Sequence, residues 1–242
     1  MVKDVGYGWV QIESNGWMDV SQWTDLPLFP LNTVLFPSMV LPLHIFEERY
    51  KLMINHCLEG KRPFGVLLIR EGKEVGSGAV PYQVGTTTII AGVSRMDDGQ
   101  MNIVTIGHER FRLRAIRHDQ PYLVGDAEPW PLIGADNERA RNQVGSVRAL
   151  FTSYLSLLAL AQGQRVDVEE IPSEPRLLAL LVAITLKLPM SQKQRLLDQP
   201  TVSHMLLAER AIMRREQLIL NQMIQTQTEQ WEGGFSGYLA KN

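Results

Sequence analysis

Leu26-Pro27-Leu28-Phe29-Pro30-Leu31, Val34-Leu35-Phe36-Pro37 and Leu41-Pro42-Leu43-His44-Ile45-Phe46 make up the stretch on which the fold turns. Its prolines fall at 27, 30, 37 and 42. Each lacks a backbone N–H and holds its own φ near about −65°, so no helix can run through this segment. Short extended pieces and edge strands are what remain.

Immediately downstream the period changes. Phe46, Tyr50, Met53, Ile54 and Cys57 recur at helical spacing, which predicts one helix over about 45–58. Glu47 and Lys51 form a favourable i,i+4 pair, and Gly60 supplies the stop. The continuous apolar run Phe64 to Ile69 then predicts a strand covered on both faces. Val80 to Val84 and the β-branched Thr86 to Val93 follow, and Asp98-Gly99 marks a hairpin turn. Met101 to Ile106 and Arg110 to Ile116 are expected as separate strands. In the second, Phe111, Leu113 and Ala115 face inward while Arg110, Arg112 and Arg114 face out. Tyr122 to Ala127 completes a set of six or seven short strands with one helix, the signature of a small barrel.

Near residues 130–136 the strand-and-turn pattern gives way to apolar residues spaced by three and four. About four helices are predicted. The first covers about 137–161, with Val144, Val147, Phe151, Tyr154 and Leu158 on one face. The second, about 174–186, is apolar nearly all round. A short helix begins with a capping box from Ser191 to Gln194. The last covers about 201–228, with the seven-residue repeat Met205, Ile212, Ile219 beside Leu206, Met213, Leu220. That seam fits packing along a bundle; homotypic pairing of its protruding end is the other reading.

The fold class expected is therefore α+β, a β-rich half before an α-rich half. The boundaries are 1–25, a leader carrying Trp9, Trp17 and Trp23; 26–131, the barrel subdomain; 136–228, the helical subdomain; and 229–242, a flexible tail. Three of the five tryptophans stand in the leader. They either dock on the body of the chain or form a surface for self-association.

Composition narrows the function classes. A hydrophobic share of 45% and a formal charge of −2 describe an ordinary globular chain with no bulk attraction for polyanions. A lone cysteine, Cys57, rules out an internal disulfide and points to a reducing, cytoplasmic setting. Lys3 and Asp4 with no apolar run after them do not read as a signal peptide. The apolar run Leu177 to Leu186 is half of the ~20 residues that a bilayer span takes, so no membrane partner is expected.

Chemistry is hard to find. Gly60-Lys61 and Gly72-Lys73 are followed by Arg62 and Glu74, whereas a phosphate loop needs Ser or Thr there to reach magnesium. The five histidines, at 44, 56, 108, 118 and 204, are dispersed. His44 with Glu47 and Glu48 lacks a second histidine at helical spacing, so no metal site is expected. Cys57 lies in an apolar stripe, where a thiol is structural rather than nucleophilic. No catalytic residue, cofactor or metal is assigned. Arg110, Arg112 and Arg114 could offer a basic face to RNA phosphates, or stand as a solvated outer face paired with nearby acids.

The opening stretch, continued by Arg49-Tyr50, resembles the start of the Lon protease N-terminal (substrate-binding) domain family, in particular its short single-domain bacterial members. Phe64-Gly65-Val66, Val84-Gly85-Thr86, Gly107 with Glu109-Arg110-Phe111-Arg112, and Pro121-Tyr122-Leu123-Val124 extend the similarity in the same order. Ser38 departs from the pattern, standing where glycine is expected, so that turn must avoid a positive φ or strain a non-glycine residue. The resemblance implies a PUA-like β-barrel with one helix, followed by a helical bundle. It implies binding of proteins or unfolded peptide segments without the ATPase and protease modules, and relatives in ubiquitin-ligase receptors use the domain as an interaction platform. A groove between barrel and helices with apolar surface partly exposed, or an unpaired barrel edge accepting a strand, would do this, with Phe36, Pro37, Met39, Val40 and Pro42 as the expected edge residues. RNA binding through the arginine strand is the alternative. Self-association through the last helix or the tryptophan leader is a further expectation.

Overall fold

A computed structural model describes residues 10–11, 23–74, 78–163 and 171–239, with side chains described at 23–74, 78–163 and 171–226. The chain is mixed α/β, rich in sheet in its N-terminal part and helical thereafter. It divides into two compact units: residues 1–132 with 186–198, and residues 133–185 with 199–242.

In the first unit, β1 (Val10–Gln11) pairs antiparallel with β6 (Val84–Arg95). The Pro-rich stretch begins as β2 (Trp23–Leu31), nine residues long and not an edge. It lies between β4 (Phe64–Glu71), to which it is parallel, and β8 (Leu123–Pro129), to which it is antiparallel. Its prolines are tolerated because each stands where one neighbour alone is in register: Pro27 against Val124 of β8, and Pro30 against Leu67 of β4. Trp23, assigned to the leader by sequence, opens this strand and is buried. Trp9 and Trp17 lie outside the described residues.

The expected strands at 101–106 and 110–116 are one strand, β7 (Met101–Arg117). It pairs with β6, with β8, and with β3 (Val40–Ile45). The pairings β6–β4, β4–β2, β2–β8, β8–β7 and β7–β6 bring the strand path back to where it starts. Gly107 lets the segment before β3 lie close against this strand, since a Cβ there would sit 2.2 Å from the Phe36 carbonyl oxygen. The two-residue β5 (Val80–Pro81) extends β4.

The first helix, α1 (Glu48–Glu59), starts three residues later than its apolar period predicts. Tyr50, Met53, Ile54 and Cys57 are buried as expected, but Ile45 ends β3 and Phe46 is exposed before the helix begins. Glu47 occupies the cap position and pairs with Arg49, leaving Lys51 to Glu48 at 2.9 Å. Gly60 ends α1 with an ordinary negative φ, and the left-handed conformation falls on Lys61 at φ 46°. The core collects α1, the buried faces of β2, β4 and β6, and Phe64, Ile103 and Tyr122. The segment α4 (Met190–Leu197) belongs to this unit as well. Its predicted capping box is absent: Pro189 holds the cap position, and Gln194 is buried with its amide nitrogen donating to the Val84 carbonyl at 3.0 Å.

The second unit contains α2 (Glu138–Ala161), α3 (Pro175–Thr185) and α5 (Val202–Leu239). Glu174 accepts from the Arg176 and Leu177 amides at 3.0 and 2.6 Å, closing the start of α3, where Pro175 fits the first-turn position. The stripe Val147, Phe151 and Tyr154 of α2 is buried, as are Met205, Leu206 and Met213 of α5. Gln143 to Ser203 and Gln217 to the Leu150 carbonyl, both 2.8 Å, tie the two helices. The seam opens further along α5, where Ile219 is exposed, and the helix continues through the expected tail to Leu239. By length and composition α2 is apolar enough to cross a membrane, although Arg148, Ser153 and Ser156 break it into shorter apolar runs.

Candidate functional site

β3 is the last strand of the path, and among the described residues it pairs with β7 alone. The direction of its backbone groups follows from its first contact. The Gly107 amide donates to the Met39 carbonyl at 2.9 Å, which sets residues 39 and 107 as a hydrogen-bonded pair. Antiparallel pairs alternate, so Leu41, Leu43 and Ile45 point their N–H and C=O groups at β7. The Thr105 hydroxyl donating to the Leu41 carbonyl at 2.9 Å agrees with that direction. Val40, Pro42 and His44 therefore turn their backbone groups outward, along an open edge. Pro42 is accommodated because its missing donor belongs to the outward set.

Side chains alternate to match. Leu41 and Leu43 pack on the core, while Val40, Pro42 and His44 are exposed. Val40 is 56% exposed and Phe46, at the end of the strand, 48%. The His44 ring stacks on Phe46 at 5.9 Å, and its Nδ1 lies 2.8 Å from Asn102 Oδ1 across the pair. The edge thus offers two outward donors, three outward acceptors and an apolar margin.

The five residues expected at this edge separate into two groups. Val40 and Pro42 are on it. Phe36 is fully buried, with its carbonyl accepting from Met39; Pro37 is half-buried; Met39 packs against the core. Ser38 adopts φ 67°, the strained alternative foreseen for a non-glycine residue, and its amide bonds the Gly107 carbonyl at 2.8 Å. His44 and Phe46 were missed as edge residues because the apolar period placed Phe46 inside a helix.

The arginine strand does not form a basic face. Arg110 is buried, donating from Nη1 to the Leu197 carbonyl at 2.5 Å. Arg112 lies 3.4 Å over the Trp130 ring, and Arg114 pairs with Glu128. A register shift between Leu113 and Ala115 breaks the alternation, leaving Ala115 exposed. The three guanidiniums are separately consumed, so the polyanion reading has no contiguous surface here.

Cys57 is buried on α1, and burial pushes its thiol up to about 12, where it is no nucleophile at neutral pH. Among the described residues, no three His, Cys, Asp or Glu side chains converge as a metal site would require.

Comparison with known proteins gives a consistent picture. The family model of the ATP-dependent protease La (LON) substrate-binding domain matches residues 25–215. Lon protease 1 of Thermus thermophilus is 30% identical over 199 residues, covering 79% of this chain and 25% of that protein. Lon protease 1 of Herpetosiphon aurantiacus is 24% identical over 214 residues, covering 84% of this chain and 26% of that protein. The chain thus spans about a quarter of the length of these relatives. The crystal structure of a Lon N-terminal domain protein from Xanthomonas campestris is similar at a TM-score of 0.55 and 26% identity, over 76% of this chain and 96% of that one. The N-terminal domain of a Mycobacterium avium complex Lon protease shares the fold at a TM-score of 0.55 and 19% identity, over 80% of this chain and 98% of that one.

Proposed function

Because the chain belongs to the LON substrate-binding domain family, we propose that it recognises protein substrates by taking an extended polypeptide segment onto the open edge of β3. The observation that carries this reading is the outward row of backbone groups at Val40, Pro42 and His44. Those groups want a partner strand, and a strand from another chain supplies donors and acceptors at the same spacing regardless of its sequence. Val40 and Phe46 add apolar contact and so favour segments that a folded protein would bury. We read the returning strand path as a PUA-like barrel on which β3 is an added, unsheltered strand. In this reading the chain contributes binding rather than turnover, in a reducing cytoplasmic setting, and any motor or cutting chemistry is supplied by other polypeptide segments.

The test is fluorescence anisotropy with a labelled, permanently unfolded protein such as reduced carboxymethylated lactalbumin. Val40→Pro removes an outward donor and crowds the edge without touching the β7 ladder. Affinity should fall about five- to tenfold, the worth of one hydrogen bond with some packing, while circular dichroism stays unchanged. Absence of binding by the unmodified chain, or equal binding by the variant, would overturn the proposal.

A further inference from the structure

Beside the open edge of β3 the sheet turns an apolar side to solvent. Val40 stands against Ile106 and Ile106 against Ile89, while Pro42 stands against Val104 and Val104 against Gly92. Residues in register project to the same side of a sheet, so each set is a row running across the strands. The alternate rows, Leu41–Thr105–Ile90 and Leu43–Ile103–Val93, run into the core. The first two rows therefore face outward. Val40 and Pro42 are exposed there, and Ile89, Val104 and Ile106 are half-buried. Gly92 has no side chain to lay over Val104. The next outward row, His44–Asn102–Ser94, is polar and closes the apolar patch at that end.

An extended segment added along β3 continues these rows. Its residues opposite Leu41 and Leu43 turn inward, over side chains that are only half-buried although they pack on the core. Its residues opposite Val40 and Pro42 turn outward and lengthen the apolar rows of β7 and β6. Over the four consecutive positions 40–43, apolar surface thus lies on both sides of the added strand. An alternating segment, apolar on one side alone, covers half of that surface and lays polar groups on the rest. A continuous apolar run covers both halves, and such runs mark strands that a folded protein buries on both faces.

We propose that the β3 edge selects a continuous run of apolar residues over an alternating one, and that Val104 and Ile106 of β7, with Ile89 of β6, set this preference from beside the edge. The preference rests on strand addition at β3 and names the class of segment added. That class is the interior strand of an unfolded protein, as opposed to an amphipathic strand from a half-solvated sheet.

Two labelled peptides of identical composition and lysine-capped ends serve as probes of the full chain in fluorescence anisotropy. One carries two valines and two isoleucines in a row; the other spaces the same four residues with serine and threonine. The continuous peptide should bind about tenfold tighter, the worth of two further apolar side chains partly covered. In a Val104→Thr, Ile106→Thr double variant that advantage should fall to about twofold or less, while affinity for the alternating peptide stays unchanged. Threonine keeps the β-branch that suits a strand, and both positions point away from the core, so circular dichroism should be unaltered. If the double variant unfolds, Ile106→Thr alone must cut the advantage about threefold. Equal affinity of the parent chain for the two peptides, or an advantage that survives in the variants, overturns the proposal and leaves strand addition standing. Binding of neither peptide overturns both.

Discussion

At the scale of single residues, Glu209 stands out among the described residues. It lies on α5 with a fully buried side chain, and neither carboxylate oxygen has a hydrogen-bond partner among the described residues. Burial raises its pKa well above the usual glutamate value. The sign of the consequence is set by that direction. The folded chain holds the proton more tightly than the unfolded one, so this contribution is complete below the unfolded pKa, about 4.3. It is lost as pH climbs through the raised folded value. Glu209→Met, which keeps the length and removes the polar oxygens, should stabilise the chain at neutral pH by about 1–3 kcal/mol. Urea unfolding between pH 5 and pH 8 should show the gap between variant and parent widening with pH; a constant or shrinking gap would contradict the assignment. Ser38 is a smaller liability of another kind. Its left-handed backbone suits glycine, so Ser38→Gly should raise stability by about 0.5–1 kcal/mol in a thermal melt.

At the scale of elements, the direction of each residue along a strand outweighs its identity. Leu41→Pro and Val40→Pro are adjacent and chemically similar, yet Leu41 directs its N–H at β7 and Val40 directs its own away. The first should cost about 3 kcal/mol or more and the second less than about 1 kcal/mol, measured by chemical denaturation. Equal costs would mean that β3 faces the other way and would remove the edge on which strand addition depends. The arginines of β7 divide by the same logic. Arg110→Ala should destabilise by about 1.5–3 kcal/mol, because it deletes a charged donor from the buried Leu197 carbonyl. Arg114→Ala, which removes a surface pair with Glu128, should stay within about 1 kcal/mol. A basic face would show the reverse pattern, with small stability effects at both positions and a shared loss of anion affinity.

At the scale of the whole molecule, recognition through an open strand edge makes a claim about salt. Backbone hydrogen bonds and apolar contacts release few counterions, whereas phosphate binding by several arginines loses affinity steeply as salt rises. Affinity for an unfolded polypeptide without basic clusters should therefore change less than about threefold between 50 and 300 mM salt in the same anisotropy assay. A steep, linear decline in log affinity would point back to a polyanion surface. Family membership is consistent with the first outcome, since the matched family is a substrate-binding domain and the match covers residues 25–215.

The strand-then-helix order, the helix stripe Tyr50, Met53, Ile54 and Cys57, and the break from strands to helices near residue 130 were legible in the amino-acid sequence, while at Ser38 the sequence left a relaxed and a strained turn open. These are local properties, set by proline chemistry and by the periods of two and 3.6 residues, which act on near neighbours in the chain. The burial of Arg110 and the isolation of Glu209 were not legible, and of the edge expected over Phe36 to Pro42 only Val40 and Pro42 lie on the open side of β3, with His44 and Phe46 unforeseen. Pro27 and Pro30 read as edge residues and stand inside the sheet, while Pro42 reads the same way and does stand at an edge. What separates them is which strands arrive alongside. Pairing partners distant in sequence, Val104 for Pro42 and Leu197 for Arg110, decide whether a given group is satisfied, buried or left open, and only the tertiary structure brings those partners together.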